Sequence, residues 1–319
     1  MNDFKNVLVI GAGSWGTSLA KILAINIKTV FIYGRSIDVI QDIKDNHRNS
    51  AFLPGVMLPK NIRATNVLAD FLPQADLLVV ATPVASLAEI FKSMAKIHPN
   101  LHNFLLCSKG IDCKSLKLPS SICREFFPEA NLAIMSGPNF AKEIAAEKIA
   151  KTIIAAENIK FAQQLQQAFL TKHFYPEITQ DTVAVEVCGA YKNVLAIAMG
   201  IAKGLELGAN FLAAFFLKSL AEMKVLVKRL GGNAEVVNSL AGMGDLLLTG
   251  YSMSSRNTKF GCNIALKANM DNKEVVEGYF TTQSLYLLAQ KLQINLPICN
   301  YVYHVLNSNC DLSEIKRLL

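Results

Sequence analysis

The sequence lacks the marks of several large protein classes. Its seven cysteines contain no C-x-x-C pair and no framework spacing. That argues against a disulfide scaffold and leaves the reduced thiols of a cytosolic chain. The five histidines, His47, His98, His102, His173 and His304, form no ligand cluster with them, so no metal is expected. No block of consecutive basic residues and no aromatic-plus-basic platform occurs, although the net charge is +7. Such a balance suits a small anionic substrate or cofactor, and nucleic acid is not expected as a partner. The most apolar stretches, 194–202 and 209–217, are interrupted by Lys203, Glu206 and Lys218. They fall below the roughly 18 uncharged residues of a membrane span and read as buried helices. The apolar run 7–12 is too short for a signal segment, and Trp15 follows at once. The expectation is therefore a cytoplasmic chain without a membrane span. No internal repeat, low-complexity segment or Pro/Ser-rich linker appears.

What is present fits two domains, the prior for 319 residues. In the first part of the chain, short apolar runs alternate with helical stretches. Strands are expected at Asn6–Ile10, Thr29–Tyr33, 76–81, 103–107, 131–135 and 151–156, with strand signals fading after 173–176. Helices are expected at 17–24, 37–44 and 159–170. Uninterrupted apolar strands with helical crossovers indicate a parallel sheet covered on both faces. From about residue 181 the period becomes helical, with breaks at Gly204, Gly208, Gly231-Gly232 and Gly242. The boundary is placed so that residues 1–180 form a dinucleotide-binding domain and residues 181–319 a helical substrate-binding and catalytic domain.

Gly11-Ala12-Gly13-Ser14-Trp15-Gly16 follows the first strand and opens the first helix. In a G-x-G-x-x-G turn the first glycine permits the tight turn, the second lets a pyrophosphate approach the backbone, and the third lets helix pack on strand. The competing reading is a tight turn in some other α/β protein. After the second strand the chain reads Tyr33-Gly34-Arg35-Ser36, with no acid before Asp38. An acid there would hold the ribose hydroxyls of NAD, whereas an arginine accommodates a 2′-phosphate. NADP is thus expected to be accepted, and to be preferred if Arg35 takes that phosphate rather than standing as a solvated charge. Further along, Thr82-Pro83, Ser108-Lys109-Gly110 and Ser136-Gly137-Pro138-Asn139 fall at strand ends, where open α/β sheets place ligands.

Lys192 lies in Gly189-Ala190-Tyr191-Lys192-Asn193, flanked by long apolar segments. A buried ammonium loses solvation, its pKa falls, and it exchanges protons near neutrality. The alternative is a lysine whose stem lies on apolar surface while its head reaches water. Asp245, after Gly242-Met243-Gly244, either orients that ammonium or caps a helix. Ser254-Ser255-Arg256-Asn257 opens another helical run. The guanidinium fork, hydroxyls and helix N–H groups suit a phosphate monoester, and a helix cap with a surface arginine is the other reading. Glu277 by itself fits any exposed carboxylate.

Together these motifs resemble the bacterial NAD(P)-dependent glycerol-3-phosphate dehydrogenases over nearly the whole length. The resemblance rests on Gly11–Gly16, Ser108–Gly110, Ser136–Pro138, Gly189–Asn193, Gly244-Asp245, Thr249, Ser255–Asn257 and Glu277-Gly278. It implies an α/β Rossmann-type N-terminal domain with a parallel-rich sheet, followed by an all-α C-terminal domain. The implied reaction is reversible reduction of dihydroxyacetone phosphate to sn-glycerol 3-phosphate with NADPH or NADH, supplying phospholipid synthesis in the cytoplasm. By position Lys192 is similar to the catalytic proton donor and acceptor. Lys109 and Asp245 stand beside it as catalytic and substrate residues, and Gly137, Asn139, Ser255, Arg256 and Asn257 as substrate contacts. Gly11, Gly13, Ser14, Trp15, Gly16, Arg35, Lys109, Ala141, Arg256, Val275 and Glu277 are the implied cofactor contacts. Asn139 stands where the family usually has Ser or Thr, and Gly250 where it often has Cys. A two-fold homodimer is the expected assembly. The rivals are a related two-domain hydroxyacid dehydrogenase, with Arg256 on a carboxylate, and a non-catalytic dinucleotide sensor.

Overall fold

Short runs of Val, Ile and Leu build the first unit of the chain. In the computed structural model, which describes residues 3–267, 276–307 and 311–319, the strands are β1 (Asn6–Ile10), β2 (Thr29–Tyr33), β3 (Ile62–Thr65), β4 (Leu77–Val80), β5 (Asn103–Leu106), β6 (Asn131–Ser136), β7 (Ala150–Ala156) and β8 (Phe174–Thr179). They form one sheet in the order β3-β2-β1-β4-β5-β6-β7-β8. Pairing is parallel for β3–β2, β2–β1, β1–β4, β4–β5, β5–β6 and β7–β8. The helices here are α1 (Ser14–Asn26), α2 (Ile37–Asn46), α3 (Leu87–Ile97), α4 (Pro119–Phe126), α5 (Ala141–Ala145) and α6 (Ile159–Phe169). The order reverses between β1 and β4, as at the switch point of a Rossmann sheet. Every residue of β4 is buried, as a strand covered on both faces requires. Val7, Val9, Leu19, Leu23, Ile32, Leu105, Ile154 and Phe161 belong to one core cluster.

The second unit is helical: α7 (Thr182–Gly204), α8 (Gly208–Arg229), α9 (Asp245–Tyr251), α10 (Arg256–Ala265), α11 (Glu277–Leu292) and α12 (Pro297–Leu306). By contacts it spans Val183–Leu319 and also takes in Lys109–Leu118 and Ser136–Pro138. The first unit keeps Met1–Ser108, Pro119–Met135 and Asn139–Thr182. α7 is buried from Ala184 to Ala202. It is long and apolar enough to cross a membrane by length and composition, yet its apolar window lies wholly inside the fold.

Several local expectations need correction. β3 has no signal of its own, being four residues with Arg63 exposed. β8 runs on to Thr179 through Pro176; it is an edge strand, where a missing N–H is tolerated. The stretch 209–217 is not a buried helix segment. Only Phe215 in it is buried, and Leu217 is 66% exposed, because this first half of α8 turns Ala209, Ala213 and Ala214 outward. The helix after Ser136-Gly137-Pro138 is only the five residues of α5.

Candidate active site

In the first unit, the loop after β1 has the form its glycines dictate. Gly11 sits at φ +117, and a Cβ there would lie 2.6 Å from the Ala81 carbonyl oxygen. A Cβ on Gly16 would fall 1.9 Å from the Gly11 carbonyl oxygen, so α1 packs onto β1 only because that position is glycine. Around Gly13 nothing lies within 4 Å of the added atom. Gly13 is also the N-cap of α1 and supplies no side-chain cap, which leaves N–H donors and the positive end of the helix dipole for an anion. Ser14 donates its hydroxyl to the Phe52 carbonyl at 2.9 Å. Two polar atoms of the first unit, Trp15 Nε1 and Thr82 Oγ1, are buried without a hydrogen-bond partner. Open space over Gly13, an uncapped helix start and these two orphans fit a dinucleotide phosphate bridge and its neighbours.

Arg35 follows β2 and is exposed. Ser36, beside it, caps α2 by accepting from the Val39 N–H, and Asp38 lies in the first turn of that helix. No acid therefore stands at the end of β2. Asn139 and Ala141 also belong to the first unit. The Asn139 amide donates to Thr152 at 3.0 Å and its Oδ1 is buried without a partner. The Ala141 carbonyl accepts from Ser18 at 2.9 Å.

In the second unit, three charges far apart in sequence meet. Lys192 of α7 is 9% exposed and Asp245 only 1%. Lys192 Nζ donates to Asp245 Oδ1 at 2.5 Å and to Thr249 Oγ1 at 3.1 Å. Lys109 Nζ donates to the other oxygen, Oδ2, at 2.6 Å. Ser136 Oγ lies 3.5 Å from that same oxygen. Lys192 therefore does not reach out to water, and Asp245 does not cap a helix: α9 starts after Gly244 with no side-chain cap. A Cβ on Gly189 would sit 2.9 Å from Ser136 Oγ, so glycine one turn before Lys192 lets Ser136 close on α7.

Burial lowers the Lys192 pKa to about 8, with Asp245 opposing the fall, Lys109 adding to it and Glu277 opposing it more weakly. Burial by itself would raise the Asp245 carboxyl, but the two ammonium groups outweigh it and hold the group below the usual carboxylate range. The result is one carboxylate shared by two lysines, one of which exchanges its proton near neutral pH.

The remaining positions divide. Ser255 is the N-cap of α10, its hydroxyl accepting from the Thr258 N–H at 3.3 Å, while Arg256 in the first helical position is exposed. The capping reading thus holds for Ser255, and the same turn presents the guanidinium. Asn257 is buried: its Nδ2 donates to Asn193 Oδ1 at 2.9 Å and its Oδ1 accepts from the Gly278 N–H at 3.0 Å. Gly137 lies within Ser136–Pro138 of the second unit at φ +154. Glu277 begins α11, exposed, within the field of Lys192. Val275 lies outside the described residues. Where Gly250 stands, a Cβ would be 2.3 Å from Met199 Sδ; methionine fills the place of a larger side chain.

Sequence reasoning left Thr249, Asn193, Ser136 and Thr82 without roles. Thr249 was reachable, since it follows Asp245 by one helical turn and so shares its face. Asn193 Nδ2 is buried beside Lys192 without a partner, a fact that only packing reveals. Among the described residues no group of three or more His, Cys, Asp or Glu side chains is placed to hold a metal.

Comparison with known proteins identifies the family. The family model described as NAD-dependent glycerol-3-phosphate dehydrogenase N-terminus matches residues 6–162, and its C-terminus counterpart matches residues 181–317. A curated protein of Anaeromyxobacter sp., named glycerol-3-phosphate dehydrogenase [NAD(P)+], is 38% identical over 93% of this chain and 92% of its own length. One of the same name from Bacillus velezensis is 36% identical over 95% and 90%. The crystal structure of glycerol-3-phosphate dehydrogenase from Coxiella burnetii superposes with a TM-score of 0.91 at 30% identity, covering 98% of this chain and 97% of that one.

Proposed function

Since the chain belongs to the NAD-dependent glycerol-3-phosphate dehydrogenase family, we propose that it interconverts dihydroxyacetone phosphate and sn-glycerol 3-phosphate with NAD(P)H. The observation that carries this reading is the buried Lys192–Asp245–Lys109 group. When bound, the nicotinamide supplies a hydride to the C2 carbonyl. Lys192 gives its proton to the oxygen of that carbon and takes it back in the oxidation. Lys109 stabilises negative charge growing on the same oxygen. Asp245 orients both ammonium groups. Arg256, at the start of α10, grips the substrate phosphate through its fork. Asn257 keeps a second amide hydrogen for that phosphate, and the Ser255 hydroxyl keeps its own. Gly137 and Asn139 line the substrate. Gly11, Gly13, Ser14, Trp15, Gly16, Arg35, Ala141 and Glu277 serve the dinucleotide, as do Lys109 and Arg256. The product feeds phospholipid synthesis, and the enzyme works in the cytoplasm as a homodimer; a monomer mass by equilibrium sedimentation would remove that last point.

The test is oxidation of NADPH and of NADH, in parallel, with dihydroxyacetone phosphate. Wild-type protein should turn over with both, Lys192→Ala should lose about 100-fold or more in kcat, and Arg35→Ala should lower the NADPH/NADH preference. Wild-type turnover in the lysine variant would remove Lys192 from the mechanism. Turnover on a hydroxyacid panel but not on dihydroxyacetone phosphate would favour the rival dehydrogenase. Dinucleotide binding with no turnover on either would favour a sensor.

A further inference from the structure

Away from the substrate groups, the second unit buries another carboxylate. Glu222 of α8 is 4% exposed. Its Oε2 accepts from the Ile298 N–H at 2.8 Å and its Oε1 from the Cys299 N–H at 3.0 Å. The Tyr191 hydroxyl, fully buried, donates to Oε1 as well. α12 opens with Pro297 and has no side-chain cap of its own. The next two N–H groups are among the orphans of any helix start, and a carboxylate from another helix satisfies both. The dipole of α12 also favours a negative charge at that point. Glu222 thereby binds α7, α8 and α12 at a single point.

Tyr191 immediately precedes Lys192. Neighbouring residues on an α-helix point about 100° apart, so fixing the tyrosine hydroxyl fixes the rotation of α7 and with it the direction of the lysine. We propose that Glu222, acting through the Tyr191 hydroxyl, is a positioning residue that aims the Lys192 ammonium at Asp245. Its relevance to turnover rests on the reading of Lys192 as the acid/base, whereas its effect on the lysine itself does not.

The full-length protein and two variants test this. Tyr191→Phe removes the hydroxyl alone and leaves the α12 cap intact. Glu222→Gln removes the charge. In each, the pH dependence of Lys192 acylation by acetic anhydride is followed by peptide mass spectrometry, alongside kcat and KM. The wild-type midpoint is expected near 8. In both variants it should move by about one pH unit, downward where the ammonium stays dry but loses Asp245 and upward where it reaches water. At the same time kcat should fall about tenfold while KM for NADPH stays within about twofold. Unchanged midpoint and kcat in a variant whose circular dichroism is native would overturn the proposal, whatever happens to its melting temperature. If Glu222→Gln does not fold, Tyr191→Phe decides alone. Lys192→Ala separates the two readings. If it turns over normally, the acid/base assignment falls, and the acylation midpoint still decides what Glu222 does.

Discussion

A lysine with a pKa near 8 works in both directions of a reversible reduction, and the two directions need opposite forms of it. In the proposed mechanism reduction needs the ammonium, so kcat/KM for dihydroxyacetone phosphate should fall as pH rises through about 8. Oxidation of sn-glycerol 3-phosphate needs the free amine, so its kcat/KM should rise through the same point. Stopped-flow rates from pH 6 to 10 check both limbs, and parallel limbs would show that another group is being titrated. The lysine itself was legible in the sequence as a cation inside an apolar run. Its partners were legible only as candidates, because the contacts among Lys109, Lys192 and Asp245 are made by the fold. Asp245 in particular had a cap as its competing reading, and only the 2.5 and 2.6 Å contacts decide between them.

Among the elements, α7 and α10 approach each other closely at two glycines. A Cβ on Gly261 would fall 2.0 Å from the Ile197 carbonyl oxygen, and one on Gly200 2.1 Å from that of Thr258. The obstacles are backbone, so a methyl group at either position forces the helices apart. Because α10 begins with Arg256, Gly261→Ala should lower stability by about 1–3 kcal/mol. It should also raise KM for the phosphorylated substrate more than KM for NADPH. Urea melts and steady-state kinetics measure the two effects. The sequence marks element ends well where glycine sets them: Gly204 closes α7 and Gly208 opens α8. It marks short edge strands poorly, since β3 has too few residues to show a period. The outward face of α8 was also misread. An apolar run looks alike buried or exposed until its neighbours are known.

For the whole molecule, the fold class was carried by alternation of strand and helix followed by helix alone, a pattern that survives errors of several residues at any boundary. Ligand binding should show at this scale. A dinucleotide held by the native chain only, at about 100 times its Kd, adds about 2.7 kcal/mol to stability. Calorimetry with and without NADPH should therefore show a higher melting temperature in its presence. No shift at saturating cofactor would contradict the dinucleotide site after β1.

The depth at which α7 lies also matters to how the chain is made. Its cover includes Glu222 on α8 and Thr258 and Gly261 on α10, all synthesised later. At roughly 5–20 residues per second on the ribosome, the segments that hide it arrive seconds after it does. For that interval the nascent protein displays a segment that a translocon or a chaperone reads as greasy. The charges of Glu186 and Lys192, set within it, raise the cost of taking it for a membrane anchor.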